Sequence, residues 1–220
     1  MGDTQEPDVY VALRHAILNG EYAFGSRLKI DEIARRFAVG HMPVRKALVQ
    51  LEGDRLVTIA RNRGASVRSV DLQTAANIYD IVIPLESLLA RRAAERAEAA
   101  MVDALTQAEK EFEHAASLLD HGAIASVNQR FHEIISEHSG NPDAADIVNR
   151  NQEVLRAFRR MYGFDSTRVP GVIADHRALI SAFREQDAES AAAIAAGHAA
   201  KARNDLITTI RNSNTMGHRG

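Results

Sequence analysis

Phe37–Leu51, FAVGHMPVRKALVQL, decides how this chain is read. The segment leaves one short helical pattern, turns through Val39-Gly40-His41-Met42, and opens a second helix in which Pro43 suits the first position, where a missing N–H costs nothing. Val44, Ala47, Leu48 and Leu51 recur at helical spacing and define a buried face, while Arg45, Lys46, Val49 and Gln50 point elsewhere. A helix with one apolar stripe and cations near its N-terminal end suits the DNA major groove. Met42, read as the residue before the helix, has no side-chain oxygen to cap the free amides, a loss of about 1 kcal/mol against Ser or Thr.

The flanking residues extend the pattern. Val9, Leu13, Ala16 and Ile17 make residues 8–19 an amphipathic helix ended by Gly20. Leu28 and Ile30 suit a short extended piece. Asp31 stands where a second helix would start, with Ile33, Ala34 and Phe37 as its apolar face and Arg35 and Arg36 on its solvated side. Downstream, Leu56–Ala60 and Ala65–Arg68 read as two strands around the turn Arg61-Asn62-Arg63-Gly64, with Gly64 where a positive φ is expected. Three helices and a hairpin make a winged helix-turn-helix over residues 1–70. Arg61 and Arg63 at its wing tip lack interleaved aromatics, so contacts to phosphate or the minor groove suit them better than base stacking. Taken alone, any of these cations also suits a solvated surface.

Residues 71–220 carry helical patterns only, at 72–98, 101–120, 123–138, 143–162, 170–185 and 187–212. Pro84 is expected to kink or interrupt the first of these, and Asn212–Gly220 to fray. The fold class is therefore mainly α: a winged helix-turn-helix followed by an all-α bundle. The net charge of -2 divides unevenly. Residues 1–70 hold 11 Lys/Arg against 8 Asp/Glu, and the remainder 16 against 21, a mildly basic head on an acidic body. With no cysteine there is no disulfide or thiolate metal site. No run suits a membrane span or a secretory signal, so a soluble cytoplasmic protein with no membrane partner is expected.

Four residues of the body have the chemistry of metal ligands. Asn128 and His132 stand four apart on one helix, His176 begins another, and His198 lies in the Ala-rich last helix. Three imidazoles and an amide oxygen projecting inward from three helices suit a divalent transition metal. Nine histidines make chance pairs common, and His15, His114, His121, His138 and His218 read as ordinary satisfied or exposed side chains. His132 and His138 mimic the start of a zinc-protease helix, but a spacing of six puts them about 240° apart.

The run Leu13-Arg14, Ile17-Leu18, Gly20, Leu28, Ala34, Val39, Pro43–Leu48, Leu51-Glu52, Leu56-Val57, Arg63-Gly64 and Val67 resembles the DNA-binding domain of the GntR superfamily of bacterial transcription factors. Ile78-Tyr79, Leu85-Glu86, Asn128, Phe131-His132, Ser139–Asn141, Asp175-His176, Leu179-Ile180, Asp187-Ala188 and His198 resemble the FCD effector-binding domain of its FadR subfamily. The resemblance implies operator contact by Arg45 and minor-groove approach at Gly64. His41, where the family has a base-reading arginine, implies an altered half-site. It also implies a divalent metal, zinc in the first instance and nickel or manganese otherwise, on Asn128, His132, His176 and His198. Asn in place of Asp leaves that set neutral. Val82 replaces an arginine that lines the pocket in many members, so Arg156, Arg159 or Arg160 is the candidate partner for a carboxylate effector.

Two functions follow. One is a homodimeric transcriptional regulator, in the first instance a repressor, reading a near-palindromic double-stranded operator under control of a small organic acid. The other is a metal-dependent enzyme on the helical body, with three His ligands and an open position. Glu133, next to His132, points about 100° away and is a poor general base.

Overall fold

The computed structural model describes residues 8–60, 64–69, 71–163 and 166–217. They form two compact units, Met1–Asp71 with Glu153–Met161, and Leu72–Gln152 with Tyr162–Gly220.

The first unit begins with α1, Val9–Leu18, whose N-terminal amides at Tyr10 and Val11 donate to the Asp8 side chain at 3.0 and 3.4 Å. β1 is Arg27–Leu28, α2 is Ile30–Phe37 and α3 is His41–Gly53. β2, Val57–Ala60, and β3, Gly64–Val67, follow. α2 starts one residue before Asp31, so Asp31 and Glu32 fall in its first turn, where carboxylates favour the positive end of the helix dipole. Ala38 ends α2 in the left-handed region at φ 54°, a cost of about 1–2 kcal/mol for a non-glycine residue.

α3 starts earlier than the sequence suggests. Gly40 is its N-cap, His41 and Met42 are in the first turn, and Pro43 is third. None of the first four amides has a partner within the helix, so proline is tolerated beyond the first position. The expected penalty at Met42 does not arise, and Gly at the cap costs only a few tenths of a kcal/mol against Ser.

The hairpin pairs Val57 with Val67 and Ala60 with Gly64. The extended piece at Leu28 becomes a third strand, Leu28 opposite Ala65, giving an antiparallel sheet in the order β1-β3-β2. Leu13, Ile17, Ile33, Val44, Leu51 and Val67 are fully buried in one core. Glu52 accepts from the Ile59 amide at 2.8 Å and holds the wing to the end of α3.

The second unit is helical: α4 Leu72–Ala94, α5 Ala99–Ser117, α6 His121–His138, α7 Pro142–Tyr162, α8 Val169–Arg184 and α9 Ala188–Gly217, with a 3-10 turn at Ser166–Arg168. Residues 153–161 of α7 belong to the first unit. There Ala157 joins the core and the Arg160 guanidinium donates to the Leu18 carbonyl at 2.6 Å.

α4 runs through Pro84 without interruption. It packs along α9, with Tyr79, Val82 and Leu89 buried and the Ser87 hydroxyl donating to the Ala192 carbonyl at 3.0 Å. That packing carries the helix past its missing donor. Alanines at 90, 93, 94, 191 and 195 let the helices approach closely. α9 continues to Gly217 where fraying was expected from Asn212; fully buried Ile210 anchors the turn before that residue.

Candidate DNA-reading face and candidate metal centre

On α3 the burial follows the sequence pattern. Val44, Ala47, Leu48 and Leu51 are buried, while Arg45, Lys46, Val49 and Gln50 are exposed. The face turned to solvent combines cations with two apolar side chains, Met42 and Val49. His41 opens the helix beside α2, its Nε2 3.2 Å from Asp31 Oδ1, with both side chains exposed. Gly64 has the positive φ expected of it, 80°. The Arg27 guanidinium on β1 lies 3.8 Å from where a Cβ on Gly64 would sit. Sequence reasoning missed Arg27, because nothing in a two-residue strand says which strand it pairs with. Arg61 and Arg63 lie outside the described residues. Arg36, read as a solvated cation, pairs with Glu21 and lies over the Tyr22 and Phe37 rings at 5.3 Å.

In the second unit the bundle brings together three of the four sequence-predicted ligands. His132 of α6, His176 of α8 and His198 of α9 each offer a nitrogen within 4.8 Å of the others. His176 is fully buried, His198 nearly so and His132 half-buried. His176 is clamped between rings, stacked on Phe131 at 3.9 Å with Phe112 edge-on at 5.3 Å. Asn128, also half-buried, is one turn before His132 on α6.

Two carboxylates stand behind the imidazoles. His176 Nδ1 is 2.6 Å from Glu109 Oε2, and His198 Nδ1 is 3.2 Å from Asp175 Oδ2. Asp175 also accepts from Lys201 at 2.7 Å. Burial pushes the His176 imidazolium down to about 4 and, first among several causes, pushes the Glu109 carboxyl up to about 8. His198 is also lowered by burial. Asp175 is lowered as well, to about 2, because it accepts hydrogen bonds from His198 and then Lys201.

The residues fit a metal. Neutral imidazoles are the form that coordinates, and burial keeps two of the three neutral. With Nδ1 engaged by Glu109, the other His176 nitrogen, Nε2, is the one left for a metal, and it is buried with no hydrogen-bond partner. A buried polar atom in that state costs about 1–3 kcal/mol unless something binds it. Carboxylates on the far side of metal-binding imidazoles fix the ring and its tautomer.

Glu109 was not singled out from sequence, and Asp175 stood in the run that resembles the FCD domain without being given a role. The available signal was Glu109 on the stripe Met101, Leu105, Ala108 and Phe112, a charged residue where the helical period requires an apolar one. Of the arginines read as effector partners, Arg160 lies on the Leu18 carbonyl and Arg156 is half-buried; both fall in the first unit. Val82 is fully buried on α4.

Residues 6–67 match the bacterial regulatory proteins of the gntR family, and residues 77–201 match the FCD domain. The HTH-type transcriptional regulator YdhC of Bacillus subtilis is 26% identical, over 83% of this chain and 82% of that protein. The galactonate operon transcriptional repressor of Escherichia coli is also 26% identical, over 83% of this chain and 88% of that protein. Among solved structures, E. coli McbR/YncC superposes with a TM-score of 0.72 at 19% identity, covering 94% of this chain and 96% of that one, a likeness of fold.

Proposed function

The chain belongs to the gntR family of bacterial regulatory proteins and carries an FCD domain, and from that premise we propose a metal-containing, acid-responsive repressor that acts as a homodimer. It is a DNA-binding transcriptional regulator controlled by a small-molecule effector, and not an enzyme; the relatives named above are regulators. Residues 1–70 are the DNA-binding domain, and residues 71–220 bind effector and dimerise.

The observation that carries the DNA reading is the division of α3 into a buried apolar face and an exposed face bearing Arg45 and Lys46. Arg45 reads a base edge, Lys46 and the wing cations Arg61 and Arg63 hold phosphates, and Gly64 keeps the wing slim. His41, paired with Asp31, offers a shorter and differently placed donor than an arginine would, which alters the preferred half-site. Two heads related by a two-fold axis read a near-palindrome. Ile81 and Leu88, exposed seven residues apart on α4, support a self-complementary face. Specific duplex binding, measured against a random duplex over a range of salt, tests the reading; equal affinity for both at every salt sinks it.

His132, His176, His198 and Asn128 would hold the metal, zinc in the first instance, with nickel and manganese as alternatives. When bound it supplies a Lewis-acid centre to which a carboxylate can bind. That effector class is supported by the neutral ligand set and by one relative's link to a galactonate operon, galactonate being a carboxylate. Reciprocal coupling decides the regulatory part: an acid that weakens operator binding must itself bind less tightly in the presence of operator, by the same factor.

A further inference from the structure

The proposed ligand set raises a question of charge, because three imidazoles and an amide are all neutral while the ion they surround is divalent. Two carboxyl groups lie one hydrogen bond further out. Glu109 on α5 and Asp175 on α8 each engage the Nδ1 of one histidine. The two arrangements are unequal. Asp175 is shared between His198 and the exposed Lys201, which already offsets its charge. Glu109 is 3% exposed and sits 2.6 Å from a histidine that is wholly buried.

We propose that Glu109, itself not a ligand, is the positioning residue that makes His176 competent to bind the metal. This rests on the metal reading above. An imidazole coordinates through a bare nitrogen, so the ring must carry its single proton elsewhere. A divalent ion on the far side of the ring favours the ionised form of Glu109, and that carboxylate, accepting from Nδ1–H, keeps the proton on Nδ1 and leaves Nε2 bare. The stacked Phe131 ring and the edge of Phe112 then stop the imidazole from rotating away.

A purely structural role explains the pair poorly. It leaves two buried atoms, His176 Nε2 and Glu109 Oε1, without hydrogen-bond partners at once. An apolar pair of the same volume would cost the bundle nothing of the kind. The position is also specific: Glu109 follows Leu105 by four and precedes Phe112 by three on the buried face of α5, so it has no solvated alternative without turning the helix.

The test uses the full-length protein and zinc alone, titrated in competition with a chromophoric chelator. Glu109→Ala is expected to weaken zinc binding by about 10–100-fold. Glu109→Gln keeps an acceptor for Nδ1–H but removes the charge, and is expected to fall between Ala and the parent. Asp175→Asn is expected to weaken binding less than Glu109→Ala. A second readout is the 15N spectrum of the His176 imidazole, in which the Nδ1–H tautomer should survive in the Gln variant and be lost in the Ala variant. Zinc affinity unchanged in both Glu109 variants, or a tautomer indifferent to them, overturns the proposal even where His132→Ala abolishes zinc binding. If His132→Ala and His198→Ala also leave zinc binding intact, the metal reading itself has failed. Should the Ala variant not fold, the Gln variant, equal in size, still decides the question.

Discussion

Two of the protein's histidine–carboxylate pairs share a chemistry but have opposite surroundings. His41 and Asp31 meet at 3.2 Å with side chains 61% and 76% exposed; His176 and Glu109 meet at 2.6 Å with side chains 0% and 4% exposed. Water screens the first pair and competes for its hydrogen bonds, so its contribution to stability is small and its side chains are free to turn to another partner. The second pair has no water to fall back on. Each atom of it must be satisfied within the protein or by a ligand, and two are not: Glu109 Oε1 and His176 Nε2, the nitrogen left for a metal. Exposed polar groups in this chain therefore suit reversible recognition, and buried ones suit a resident ion.

The largest expected effect breaks the buried side of that contrast. His132→Ala and His198→Ala should each lose stoichiometric metal, read by elemental analysis. At free metal 100-fold above its dissociation constant, chelation should remove about 2.7 kcal/mol of stability from the parent and nothing from either variant. Retained metal in both variants would mean that the ligands lie elsewhere.

Arg45→Ala comes next, on the exposed side. Operator affinity should fall by about 1–3 kcal/mol, with loss of discrimination at one base position, while thermal stability stays within about 0.5 kcal/mol of the parent. A fall in stability instead would show that Arg45 holds the head together.

A pH series on chelated protein sharpens the comparison. His176 and His198 are held below their ordinary value of 6.5, so below that pH the unfolded chain takes up protons that the folded chain refuses, and stability falls as pH drops. Glu109 is held above its ordinary 4.5, up to about 8, so the folded carboxyl keeps its proton longer and the stability it carries is lost as pH rises between those values. Below 6.5 His176 opposes Glu109, and His198, lowered in the same direction, adds to His176, while Glu109 acts alone above 6.5. Melting temperature should therefore peak near pH 6.5, and a flat profile from pH 5 to 8 would contradict the buried assignment.

The smallest expected effects are at the exposed pair. Asp31→Ala should change stability by no more than about 0.5 kcal/mol. His41→Arg should likewise leave the melting temperature alone but shift the preferred half-site, checked by selection from a randomised duplex pool. No shift would mean that His41 does not read the operator.

The head was legible because its evidence is local. The apolar positions of α3 repeat every three to four residues, and the turn glycine stands where the hairpin needs a positive φ. Errors there were also local: one helix began two residues before the proline that seemed to open it, because the whole first turn lacks acceptors for its amides. In the body, His132, His176 and His198 stood out because their pattern resembles a known domain, not because anything in the spacing brings residues 132 and 198 together.

By itself the sequence determined the helical period, the winged head, the helical character of the body and three histidines able to coordinate a metal, since each depends on residue type and short-range spacing. Only the tertiary structure decided that those histidines meet within 4.8 Å, that Glu109 and Asp175 stand behind two of them, that β1 joins the wing, and that Glu153–Met161 belongs to the unit holding the head. The reason is physical. A period selects which face of a helix is buried, but which faces meet depends on how several helices pack at once. His176 and Glu109 are 67 residues apart and share their bond only because α5 and α8 pack against one another.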